Sequence, residues 1–111
     1  LIWGTDETPA EILSSEDFGL RENDIEPQAD GSWLRVIDYP PKMTGRMHRT
    51  NSIDYAICLS GEMDMELDKG RMVTFRAGDI MVQRATNHSW INKSDSPARI
   101  VFALLGSRAP F

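Results

Sequence analysis

What this chain lacks narrows it first. Cysteine occurs once, as Cys58, so no disulfide can close within the chain, and a reducing, cytoplasmic compartment is expected. Histidine occurs twice, as His48 and His88. No apolar run approaches the length of a membrane span, and no basic-then-apolar leader pattern opens the chain. It does not begin with methionine, as a trimmed or cleaved product would not. Positive charge is in deficit: 12 basic against 17 acidic residues give a net charge of −5, and the basic ones are scattered. Nucleic acid and anionic membrane, which need a concentrated positive patch, are therefore not expected partners. With 111 residues the chain has room for one core but not two.

What is present divides into two textures. Residues 1–31 carry many acids and breakers (Pro9, Gly19, Pro27, Gly31) and no sustained period, and read as an N-terminal arm over the domain with one short strand at most. Thr8-Pro9 is a candidate start for a helical turn, with Thr8 as its cap. Trp3 and Phe18 would anchor the arm by burying aromatic surface. Residues 32–111 form the second texture, a single β domain. SWLRVIDY (32–39), IDYAICLS (53–60), EMDMEL (62–67), RMVTFR (71–76), IMVQ (80–83), HSWIN (88–92) and ARIVFALL (98–105) are short β-forming runs between turn signals. EMDMEL alternates strictly, the mark of a half-buried strand, whereas the near-continuous apolar run of 98–105 predicts cover on both faces. Short strands at this spacing mean an all-β sandwich or barrel.

Alternation also bears on assembly. If Asp54 points inward, Ala56 and Cys58 follow it, and Tyr55, Ile57 and Leu59 point out. Three large apolar side chains on an outer face need a cover, and a homodimer is expected to supply it.

Two stretches hold the candidate chemistry: GRMHRTNSIDYAICLSG (45–61) and GDIMVQRATNHSWIN (78–92). His48, His88 and Asp54 are groups that can bind Fe(II), Mn(II), Ni(II) or Zn(II), with positions left for water or substrate. Thr50 shares a face with His48 and offers a hydroxyl to a substrate oxygen. Gln83 and Trp90 are candidates for the pocket wall. Each residue also has a plainer reading: a histidine as a solvated polar group, Asp54 as a surface carboxylate, Trp90 as core, Cys58 as an inert buried thiol.

These stretches resemble the two motifs of the cupin superfamily. In the first, His48-Arg49-Thr50 stands at the His-x-His place, Asp54 at the glutamate and Gly61 at the closing glycine. In the second, Gly78, His88 and Asn92 hold the glycine, histidine and asparagine places, with Arg84 and Thr86 in place of the proline and glycine. The resemblance covers roughly residues 32–106 and is closest to small single-domain cupins. It implies a double-stranded β-helix, the jelly-roll barrel, and a site at its centre with His48, Asp54 and His88 on a divalent metal and His48, His88 and Thr50 in catalysis. Thr50 is not the histidine that the family's usual ligand set has there. The function implied is a small-molecule enzyme: a metal-assisted lyase (decarboxylase or dehydratase) or isomerase on an oxygenated organic acid or polyketide-like metabolite. The alternatives are an Fe(II) dioxygenase and a non-catalytic ligand-binding cupin.

Overall fold

Two antiparallel sheets account for the structure, a computed structural model that describes residues 1–22 and 26–108. In chain order the strands are β1 (Trp3–Thr5), β2 (Ser32–Tyr39), β3 (Met43–Thr44), β4 (Ser52–Ser60), β5 (Glu62–Glu66), β6 (Met72–Arg76), β7 (Ile80–Arg84), β8 (Ser89–Asn92) and β9 (Ala98–Gly106). One sheet runs β1-β2-β9-β4-β7, the other β3-β8-β5-β6. Among the described residues no helix is long and apolar enough to cross a membrane. The seven strands read from the sequence all form, with ends that differ by a residue or so.

The core forms because the inward rows of the two sheets are apolar and meet. Ala56, Cys58, Ile100, Phe102 and Leu104 come from the five-stranded sheet, and Met63, Met65, Phe75 and Trp90 from the other; all are buried. Trp90 bridges them, its ring 5.9 Å from that of Phe102 across the gap and 6.1 Å from that of Phe75 beside it. Burial raises the pKa of the Cys58 thiol, in keeping with an inert core cysteine. The turn from β4 into β5 needs Gly61: its φ is +79°, and a Cβ there would lie 2.6 Å from the Pro97 carbonyl oxygen.

Three expectations need correction. No helical turn forms at Thr8; its hydroxyl instead donates to the Asp30 carbonyl, 3.0 Å away, tying the arm to itself. β9 is not covered on both faces, since only its Ala98, Ile100, Phe102 and Leu104 row is buried, the first and last ends of the other row being exposed. The acidic row of β5 is not wholly solvated: Asp64 is buried, accepts a hydrogen bond from Thr74 (3.0 Å) and pairs with Lys93 (2.9 Å). The arm itself adds β1 to the edge of the larger sheet, pairing Trp3 with Leu34 and Thr5 with Ser32. Phe18 is buried as expected, while Trp3, 6.3 Å from it, stays half exposed.

Candidate functional site

A cavity of about 360 Å³ opens between the sheets, and the sequence-predicted residues gather on it. His48, Thr50, Asp54, Gln83, His88 and Trp90 all line it. The alternation of β4 explains Asp54: Ser52, Asp54, Ala56 and Cys58 turn inward as one row. Gln83 lies opposite Asp54 in the β4–β7 register.

The two histidines are brought together by main chain rather than by side chain. His48 and His88 form an isolated antiparallel bridge in which each N–H donates to the other's carbonyl at 2.8 Å. Directly opposed residues of such a pair project to the same side, so the rings stand 4.5 Å apart, tilted by 55°. Each ring is then held from behind. His48 Nδ1 lies 3.0 Å from the Arg46 carbonyl oxygen, and His88 Nδ1 lies 2.7 Å from that of Thr86, with the Gln83 amide against the same nitrogen. A carbonyl only accepts, so the Arg46 and Thr86 carbonyls call for the hydrogen on Nδ1 of each ring. The Gln83 side-chain amide fits this tautomer with its oxygen rather than its nitrogen turned to His88; Nε2 then faces the cavity with its lone pair. His88 is buried, which depresses its pKa and keeps the imidazole neutral through the neutral range.

Asp54 has the opposite bias. Burial pushes its carboxyl above the usual carboxylate range; the Ser52 hydroxyl, donating at 2.6 Å, opposes this, and the nearby Glu26 carboxylate adds to it. Behind Ser52 stands Thr50, whose hydroxyl lies 2.9 Å from that of Ser52. Since Ser52 donates to Asp54, it is Thr50 that donates to Ser52, making a relay of three side chains at alternate positions. Ser52 was not singled out from the sequence; its place two residues before Asp54 on a strand was the available signal. Glu26 accepts the Asn51 N–H, pinning the arm beside this relay.

The cavity wall grades from charged to apolar. Arg35 and Arg46 stand on it, Arg35 stacked over the Trp33 ring at 5.1 Å, and Ile37, Tyr39, Met43, Phe102 and Leu104 supply apolar surface. Of Arg35, Arg49 and Arg84, three arginines on or beside the strands read from the sequence, only Arg35 lines the cavity. Arg46, in the irregular segment after β3, joins it without a periodic signal to announce it.

Of the three side chains expected on a metal, the two imidazoles stand together and Asp54 lines the same cavity. Among the described residues no three His, Cys, Asp or Glu side chains come together as a group able to hold an ion. Asp54 accepts the Ser52 hydrogen bond on one oxygen. The site is thus a pair of imidazole lone pairs beside a carboxyl biased towards its protonated form.

That bias has a thermodynamic consequence. With the folded-state pKa above the unfolded one, the folded state holds more protons in the window between them, so Asp54 lowers stability as pH rises through it. Asp54→Asn keeps an acceptor for Ser52 without the buried charge. Its stability relative to the parent is expected to grow from acid to neutral pH in denaturant titrations. A difference that stays flat with pH would contradict this.

Comparison with known proteins adds three findings. A family model for a cupin domain, Cupin_2, matches residues 35–104. The cupin-domain-containing oxidoreductase fogC of Aspergillus ruber is 40% identical over 111 residues, covering 95% of this chain and 54% of that protein. Phomopsin biosynthesis cluster protein C' of Diaporthe leptostromiformis is 46% identical over 79 residues, covering 70% of this chain and 42% of that one. The chain spans about half the length of these relatives. Among solved structures, the polyketide cyclase RemF from Streptomyces resistomycificus superposes with a TM-score of 0.62 at 20% identity, over 71% of this chain and 57% of that one. At that identity the likeness concerns the fold alone.

Proposed function

We propose, on the premise that this chain belongs to the Cupin_2 family of cupin domains, that it is a small-molecule enzyme moving protons on an oxygenated organic acid. The observation that carries this reading is the pairing of a neutral, buried His88 with an Asp54 of raised pKa on one cavity. Two titratable groups pushed in opposite directions are suited to base and acid roles near neutral pH. In the proposed mechanism Nε2 of His88, with His48 beside it, takes a proton from a carbon next to a carbonyl or carboxyl group. Asp54, oriented by Ser52 and Thr50, returns a proton to the oxygen or leaving group. That sequence of transfers serves a dehydratase or an isomerase; in the decarboxylase version no C–H proton is taken, the bond to the departing CO2 breaks, and Asp54 protonates the carbon left behind. Arg35 and Arg46 are assigned to the acid group of the substrate, and the apolar wall to a flat polyketide-like or aromatic body. The cavity is near the small end of ligand sites, which suits a compact ring system.

Binding tests the reading without knowledge of the natural substrate. Naphthoic and anthracene carboxylic acids are expected to bind about tenfold more tightly than their methyl esters by calorimetry, a difference of ~1.4 kcal/mol. Arg46→Gln is expected to erase most of that preference. Esters that bind as well as acids would defeat the assignment.

A second reading, an oxidoreductase, is favoured by the names of the relatives. Oxygen uptake during turnover separates it from the lyase, and elemental analysis of protein purified without added metal shows whether Fe, Mn, Ni or Zn is held at the two imidazoles. If ligands bind without turnover, the protein is a binding module.

A further inference from the structure

We propose that Tyr39 is a specificity residue of the cavity, its phenol donating a hydrogen bond to an oxygen on the body of the substrate, away from the acid group. Of the titratable groups that line the cavity, Arg35, Arg46, His48, Asp54 and His88 all have parts in the proposed reaction, and Tyr39 has none. The inference rests on that reading and adds a substrate class to it: acids whose ring body bears a hydroxyl or keto oxygen.

Alternation puts the phenol there. Arg35, Ile37 and Tyr39 form one row of β2, and all three line the cavity. Pro40 and Pro41 then stop the strand. The buried Asn92 amide, on β8 of the other sheet, donates to the Tyr39 carbonyl at 3.3 Å and ties the main chain across the gap. The Tyr39 ring is placed 6.0 Å from that of Trp90. Trp90 in turn stands 5.9 Å from His88, so three rings line the way from the imidazoles to the phenol.

Register separates the two ends. Asp54 lies level with Leu104 of β9, and Tyr39 with Ala98. Those two β9 positions are about 20 Å apart on an extended strand. Arg35, level with Phe102, falls between them. An acid gripped there with its reacting carbon at His88 therefore sends the rest of its body towards Ile37 and Tyr39.

Chemistry sets the direction of the bond. Burial raises the phenol above the ordinary tyrosine value, against the opposing charge of Arg35, so it keeps its hydrogen and donates. A hydroxyl set in a largely apolar wall discriminates sharply, because an occupant with no acceptor leaves it unpaired.

Calorimetry with 2-naphthoic acid and its isomers bearing one hydroxyl on the second ring tests this. One isomer is expected to bind about tenfold more tightly than the unsubstituted acid, the worth of one hydrogen bond. Tyr39→Phe is expected to lose that gain and to bind the unsubstituted acid as the parent does. A second measurement needs no variant. Of the two tyrosines, Tyr55 lies on the outer face and is the control in NMR spectra of protein labelled with carbon-13 at tyrosine Cζ. The Tyr39 signal is expected to move further with the favoured isomer than with the unsubstituted acid, and the Tyr55 signal to stay. Absence of a favoured isomer overturns the inference, as does a gain that survives Tyr39→Phe or a Tyr39 signal indifferent to the hydroxyl. Acids that bind no better than their methyl esters defeat the acid reading instead and leave the hydroxyl test standing. No binding by any of these acids overturns both.

Discussion

Alanine in place of Trp90 is expected to destabilise the fold by about 3–5 kcal/mol, the cost of truncating a large aromatic in a packed core. The indole is buried and stands within 5.9–6.1 Å, centroid to centroid, of Phe75, Tyr39, Phe102 and His88. It therefore packs against both sheets and the floor of the cavity at once. For a domain of this size the thermal midpoint is expected to fall on the order of 15 °C. Trp90→Phe keeps an aromatic bridge and is expected to recover much of the loss. A midpoint within a few degrees of the parent for Trp90→Ala would mean that the sheets hold without the bridge.

Removal of the His88 imidazole is expected to lower turnover roughly 10²–10⁴-fold, the usual contribution of a positioned acid or base. The substrate for the assay is whichever acid that binds is also consumed on incubation with the protein. The fold is expected to survive in His88→Ala, because the bridge to residue 48 is made by main-chain atoms. In the parent, kcat/KM is expected to rise with pH through a point below the usual histidine value, because burial depresses that group, and to fall again as the acid Asp54 ionises at its raised value, the bell of a base–acid pair. In His88→Ala the rising limb is expected to vanish. Turnover within a few fold of the parent would remove His88 from the mechanism.

Much of the frame was legible in the sequence for a simple reason. Period-two patterns are local, and in β4 the row Ser52, Asp54, Ala56, Cys58 is buried while Ile53, Tyr55, Ile57 and Leu59 are exposed, as alternation requires. β3, only two residues long, has no period to read. Asp64 alternates like a solvent residue, yet it is buried because Thr74 and Lys93 satisfy it, and those partners lie 10 and 29 positions along the chain. The site was legible to a lesser degree. That His48 and His88 meet came from the resemblance, since 40 residues separate them and no local rule pairs them. Arg46 became visible only with the cavity, because its irregular backbone has no period to read, whereas Ser52 stood in the legible row of β4 and only its bond to Asp54 needed the structure.

The reciprocal main-chain bridge at positions 48 and 88 separates the frame from the chemistry it carries. The spacing of the two side chains is set by two amide–carbonyl bonds that any residue except proline can make. The link between those two positions therefore survives exchange of either side chain for another reactive group, so the pair can be re-equipped without redrawing the fold.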